Sequence, residues 1–357
     1  MKKQKRLMAV LVTMILLLCM GCGSSQGAES SGEETGTEET ANASVSETSE
    51  NTESGEEAIK IGVSAWTGWY PWIIAEEKGF FEENGVNAEV VYFPVYSDQF
   101  QAYASGNLDL VSISLCDMVP PVSNGVDVVG FLVNDNSFGG DCIVATNGIQ
   151  SVEELKGKTV AVEIGCLSHY LALNALENAG LTEADVNFTN MTMADASTAL
   201  ISGQIDAAAI CEPYVSLAEK EGDVTKVFST KETPGLIPDL TATSSEFLAS
   251  HKGDIVNITK AWYETLAYME NNREECIGIM ADAAGTSEEE FEKMLDGIKL
   301  FSLEDNAAAF EAGEDFTHLN YTLQKNAEFL NDQDVVSDIS MIDDSLLDAS
   351  IITELSK

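Results

Sequence analysis

Two polar stops carry what chemistry this sequence offers. Glu212-Pro213-Tyr214 follows the apolar run 207–211, and Cys116-Asp117 follows a similar run at 110–115. A short buried strand that ends on ionisable and aromatic side chains delivers them to the carboxyl edge of an open α/β sheet, where such sheets bind ligands. The chemistry is non-covalent: carboxylates and hydroxyls that exchange hydrogen bonds, and ring faces that attract a cation. No nucleophile–base pair, phosphate-cradling glycine loop or clustered metal-ligand set accompanies them. Neither catalysis, nor a metal, nor a cofactor is expected.

The candidates fall into two groups. Trp66, Trp69 and Tyr70 surround Gly68, and Ser114, Cys116 and Asp117 close the third strand, with Asp141 following Gly139-Gly140. The second group is Glu163, Gly165, Ser168, His169, Asp195, Glu212 and Tyr214. Bland roles compete with several of these. Trp66 and Trp69 could be core, Asp141 a turn cap, Ser168 a helix N-cap, and His169 a solvated or satisfied imidazole. Glu212 is the strongest choice, because an Ala-rich buried strand is a poor place for an ordinary surface charge. Cys116, Cys142, Cys166, Cys211 and Cys276 are odd in number and dispersed, which argues against a disulfide framework or a zinc pair. Free cysteines acting as small buried hydrophobes suit them better.

The elements that must position these residues repeat. Ser105-Gly106-Asn107-Leu108-Asp109 and Ser202-Gly203-Gln204-Ile205-Asp206 lie 97 residues apart, as do Gly68 and Gly165. Each pentapeptide reads as a helix end, a glycine turn and a strand start. Strands are expected at 59–65, 87–93, 110–114, 126–133, 141–146, 159–164, 186–190, 207–210, 225–228 and 240–243, with helices between them. That alternation indicates mostly parallel sheets. From residue 245 onward Trp262, Leu266, Met269, Ile277 and Met280 keep helical spacing.

The ends are different material. Lys2, Lys3, Lys5 and Arg6 precede an apolar run at 7–20 and then Gly21-Cys22-Gly23. This order is a secretory signal, 1–21, and it resembles a bacterial lipoprotein signal with Cys22 as the lipidated residue; cleavage by an ordinary signal peptidase is the alternative. Residues 22–57 are rich in Ser, Thr, Gly and Glu and hold no basic residue, as an extended disordered linker would. The chain has 60 acidic and 18 basic residues, for a formal net charge of −42. Nucleic acid is excluded as a partner, since phosphate binding needs a basic face. Between Lys78 and Lys156 there is no basic residue apart from these two ends, and past the leader Arg273 is the one arginine.

Trp66-Thr67-Gly68-Trp69-Tyr70-Pro71, Lys78-Gly79-Phe80-Phe81, Ser105 through Asp109, Leu155-Lys156-Gly157-Lys158 and Asp206 through Tyr214 together resemble one family. It is the nitrate/sulfonate/taurine and thiamine-precursor type of solute-binding protein that serves ATP-driven importers. The resemblance implies a periplasmic-binding-protein-like α/β fold of type II, with two lobes, two crossovers and a helical C-terminal tail. On that basis 58–145 and 235–357 form the first lobe and 146–234 the second. It further implies a monomer, lipid-anchored outside the cell membrane, that closes over one small molecule and meets an ABC permease and its ATPase. A pyrimidine-synthase-like enzyme and a sensor for a membrane receptor are the alternatives of another class.

The charge of the ligand is argued from the residues. The segments expected at the cleft hold several carboxylates and no Lys or Arg. A nitrate or sulfonate would rely on backbone N–H groups at helix starts such as 165–168 and be repelled by Glu163 and Glu212. A guanidine, urea or small amine would be attracted by the same carboxylates and by the indole faces. Ser168-His169, the 190–196 segment and Glu212-Pro213 also resemble members associated with urea- or guanidine-type compounds.

Overall fold

A computed structural model describes residues 57–357. The leader, Cys22 and the linker up to residue 56 lie outside the described residues. Eleven strands are present among the described residues: β1 (Ile59–Ser64), β2 (Ala88–Phe93), β3 (Leu110–Ser114), β4 (Val129–Ser137), β5 (Asp141–Ala145), β6 (Thr159–Val162), β7 (Asn187–Asn190), β8 (Ala207–Cys211), β9 (Thr225–Ser229), β10 (Pro238–Thr243) and β11 (Ile298–Leu300). They form two sheets. Sheet A has the order β11-β4-β10-β3-β1-β2 and sheet B the order β7-β6-β8-β5-β9.

Both sheets are mixed. β2-β1-β3 and β7-β6-β8 are parallel, each linked through helices, because parallel neighbours need a crossover. Of the strands that carry the chain between sheets, β10 runs antiparallel to β3 and β4 on either side of it, and β5 antiparallel to β8 and β9, so that β4 and β9 point the same way as the triplets. By direction four of the six strands of sheet A and four of the five of sheet B agree, so the expected mostly parallel sheets hold, with an antiparallel strand inserted where the chain passes between them. β5 also changes sides: its five residues pair with β8 and β9, so the first passage between sheets is at 138–140 and not after residue 145. The second passage joins β9 to β10.

The internal repeat is a repeat of bonds. Asp109 Oδ2 accepts from Lys60 N at 2.8 Å, and Asp206 Oδ2 accepts from Thr159 N at 2.9 Å. In each half the Asp at the start of the third strand fixes the start of the first. Gly106 and Gly203 sit at φ of 75° and 70°, where a side chain would be strained. Side chains repeat as well: Asn107 Nδ2 donates to Ser105 Oγ at 2.8 Å and Gln204 Nε2 to Ser202 Oγ at 3.0 Å.

The C-terminal helices cover sheet A. The helix Lys252–Asn271 packs Trp262 against Trp72, 4.6 Å between ring centroids. Pro71 opens the helix Pro71–Glu77, a first-turn position that needs no N–H. Among the described residues no helix is long and apolar enough to cross a membrane.

Candidate functional site

A cleft with about 460 Å³ of atom-free space, its open mouth included, lies between the carboxyl edges of the two sheets. Sheet A brings Ser64, Ala65, Trp66 and Trp69 from the end of β1, Pro94 to Tyr96 from the end of β2, Ser114 from β3 and Asp239 from β10. Sheet B brings Glu163 and Leu167 from the end of β6, Thr192 to Ala194 from the end of β7, and Cys211 and Tyr214 from the end of β8. No Lys, Arg or His stands in that lining.

A row of acids underlies the sheet A wall. Register places Asp239 directly opposite Ser114 on one side and Asp135 on the other. Ser114 Oγ donates to Asp239 Oδ1. Trp66 Nε1 donates to both oxygens of Asp135, at 3.1 and 3.2 Å. Tyr96 extends the row: its hydroxyl donates to Asp117 Oδ2 at 2.6 Å and accepts from Ser114 N at 3.1 Å. Trp69 stacks on Tyr96, 5.7 Å between centroids and 19° between planes. Two buried atoms on lining residues have no protein partner, Asp239 Oδ2 and Trp69 Nε1.

Burial sets the protonation of these acids, because a desolvated carboxylate is disfavoured. It pushes Asp117 up to about 7, against the hydrogen bonds from Tyr96 and from the Leu167 backbone. Asp141 is likewise pushed to about 7 by burial, with Ser137 opposing and Glu212 adding. Glu163 is raised by burial, while hydrogen bonds from Ser97 across the cleft pull it down. Asp135 and Asp239 stand well above the ordinary carboxylate range, burial again the largest cause. Among the described residues no three His, Cys, Asp or Glu side chains are grouped so as to hold a metal ion.

Of the residues singled out above, Trp66, Trp69, Ser114, Glu163 and Tyr214 line the cleft. Asp117 stands behind Tyr96, and Asp141, fully buried at the passage between sheets, stands one layer below. The others are placed elsewhere. Tyr70 turns into the helical core and meets Phe291 edge-on at 5.6 Å. Cys116 is packed in the main core, and the five cysteines among the described residues are free. Gly165 takes a φ of 84° to turn β6 into its helix. Ser168 is not the N-cap of its helix, Leu167–Asn178; its hydroxyl accepts from Glu163 N at 2.8 Å. His169 accepts from Gly165 N at 3.4 Å and packs its edge on Phe188. Asp195 is exposed and bonds the hydroxyl of Thr192, the N-cap of the helix Met193–Ile201, at 3.0 Å. Glu212, the strongest choice on sequence, accepts from Ser216 N at 3.0 Å and so caps the next helix. Its carboxylate is not part of the cleft wall.

Asp239 and Asp135 had no signal of the kind that marks a polar stop. Both sit inside strands, one after Pro238 and the other between Asn134 and Asn136. Three polar residues at the end of an apolar run were the one available hint.

A family model described as NMT1/THI5 like matches residues 66–276. An aliphatic sulfonates-binding protein of Escherichia coli (strain K12) is 31% identical over 246 residues, 65% of this chain and 73% of that protein. One of Bacillus subtilis (strain 168) is 26% identical over 243 residues, 66% of this chain and 73% of its own length. Among solved structures, the periplasmic aliphatic sulphonate binding protein SsuA from Escherichia coli aligns with a TM-score of 0.67 at 24% identity, covering 81% of this chain and 92% of that one. The periplasmic nitrate-binding protein NrtA from Synechocystis PCC 6803 aligns with a TM-score of 0.67 at 14% identity, covering 84% and 88%.

Proposed function

The chain belongs to the NMT1/THI5-like family, and on that footing we propose that it is the extracytoplasmic solute-binding component of an ABC importer. Its two lobes are sheet A with the C-terminal helices and sheet B with its own, closing over one small polar ligand. Tethering through a lipid on Cys22 and docking to a permease and its ATPase complete the reading. The relatives reported above carry the names of binding proteins, and the cleft joins residues from both sheets, as a hinge that closes on ligand requires.

The ligand is a nitrogen-rich cationic or neutral compound of the guanidine, urea or small-amine type. One observation carries this: the cleft is walled by Asp239, Glu163, two Trp and two Tyr, with no basic side chain. An N–H donor satisfies the open oxygen of Asp239, and a cation gains from the aromatic faces as well. A second reading, a sulfonate, taurine or nitrate, has support of its own. Val95-Tyr96 and Thr192-Met193 bring two helix starts to the lining, and Trp69 Nε1 is a free donor.

Thermal melting of the chain with guanidine, urea, methylamine, taurine, methanesulfonate and nitrate separates the two. At ligand about 100-fold above Kd the melting temperature should rise by about 5–10 °C for the right class. Stabilisation by the anions alone would overturn the cationic reading.

A further inference from the structure

Asp239 and Asp135 are two buried carboxyls placed face to face by strand register, 1% and 0% exposed, with donors that satisfy only part of them. Trp66 Nε1 serves Asp135 and Ser114 Oγ serves one oxygen of Asp239. The remaining oxygen of Asp239 belongs to a residue on the cleft wall and accepts from no protein donor; the one group it can meet is the carboxyl of Asp135. We propose that Asp239 is the anionic recognition group for the ligand, that it shares one proton with Asp135 when the cleft holds no ligand, and that a cationic ligand binds by displacing that proton. This rests on the cationic reading above.

The surroundings leave no other source of positive charge. The titratable groups that face Asp239 are Asp135 from β4, Asp141 from β5, Asp117 and Cys116 from the segment after β3, Tyr96, and Cys211 from β8. Every one of them is an acid. Two adjacent desolvated carboxyls without a cation keep a proton between them, since like charges at such range cannot both ionise cheaply. The proton belongs on Asp239. The indole N–H and a hydrogen bond from Asp239 both favour the ionised form of Asp135, while the charge of Asp135 opposes ionisation of Asp239. Charge then balances on binding: one H⁺ leaves to solvent as one cation arrives, and the pair changes from singly to doubly ionised. A neutral ligand would leave the proton in place.

Calorimetric titration of the chain with millimolar guanidinium chloride, in phosphate and in Tris at pH 7, reads the exchange. The expected result is about one proton released per ligand bound, with affinity weakening about tenfold per pH unit on the acid side. Asp135→Asn, which removes the sharing partner, should still bind guanidinium but release less than half as many protons. Asp239→Asn should lose binding. Binding of guanidinium with no buffer dependence overturns the proposal and leaves the cationic reading standing. Binding of methanesulfonate but not of guanidinium, urea or methylamine overturns that reading and the proposal with it.

A ligand-free measurement tests the shared proton alone. A carboxyl whose folded pKa is raised contributes stability that is full below its unfolded pKa and is lost as pH rises from there through the folded pKa. The melting temperature of the wild-type chain should therefore fall between pH 5 and 8 more steeply than that of Asp239→Asn or Asp135→Asn. Equal slopes in all three proteins overturn the proposal whatever the ligand.

Discussion

Gly68 and Gly165 occupy matching places in the two halves, yet the structure asks different things of them. Gly165 has φ of 84° and open space where a Cβ would stand. Gly68 has an ordinary backbone, but a Cβ there would collide with the carboxylate of Asp135. The loop carrying Trp66 and Trp69 thus closes over Asp135 because residue 68 has no side chain. Gly68→Ala should push Asp135 out of reach of Trp66 Nε1, weaken ligand binding at least tenfold and cost about 1–3 kcal/mol of stability. Gly165→Ala should cost about 1 kcal/mol through backbone strain alone. Urea unfolding and ligand titration of both variants distinguish them; a Gly68→Ala protein that binds normally would show that the loop can give way.

At the scale of elements, the two aspartates that pin β1 and β6 make the same bond in the same place, to Lys60 N and to Thr159 N. Removing either leaves a partly buried N–H unsatisfied. Asp109→Ala and Asp206→Ala should each lose about 1–2 kcal/mol in urea unfolding, and the double variant should show the sum, since the sites share no partner. A loss at one site only would mean that the repeat is kept in sequence and not in energy. These elements were legible from sequence because their signals are local: a glycine turn, an Asp, an apolar run. The cleft was half legible for the same reason. Trp66, Trp69, Ser114, Glu163 and Tyr214 stand at strand ends, where a change of polarity marks them. Asp239 and Asp135 stand opposite one another only because β10 inserts between β3 and β4, a pairing more than a hundred residues long. Glu212 looked like a site residue because a buried acid needs a reason, and helix capping through Ser216 N is a reason that sequence does not display. β5 and the three-residue β11 were likewise assigned or missed by partners, not by their own residues.

At the scale of the whole molecule, the ligand can favour closure only by binding the closed form better, so contacts that join the lobes outside the cleft set the starting balance. The passage at 138–140 packs on Gly297, where a Cβ would meet the backbone of Gly140, and both Phe138 N and Gly140 N donate to Gly297 O, at 2.8 and 2.9 Å. Beyond the cleft mouth, Lys220 on the sheet B helix Tyr214–Glu221 reaches Glu290 on the helix Glu288–Leu295 of the C-terminal region, 2.6 Å between Nζ and Oε1. Glu290 is already oriented by the hydroxyls of Ser287 and Thr286, at 2.8 and 2.9 Å, so little freedom is lost when the lysine arrives. Lys220 is exposed and Glu290 half-buried, so the contribution of the pair is small and screened by salt. On the proposed closure, a pair that forms only when the lobes approach should act on release more than on capture. Lys220→Met should speed ligand dissociation about two- to fivefold in stopped-flow chase experiments at low salt, leave association unchanged, and lose its effect at 0.5 M salt. Lys293→Met breaks a pair of similar length, 2.8 Å to Glu289, that lies within one helix and joins no lobes. Equal dissociation rates for both variants and the wild type would remove the Lys220–Glu290 pair from the account of closure.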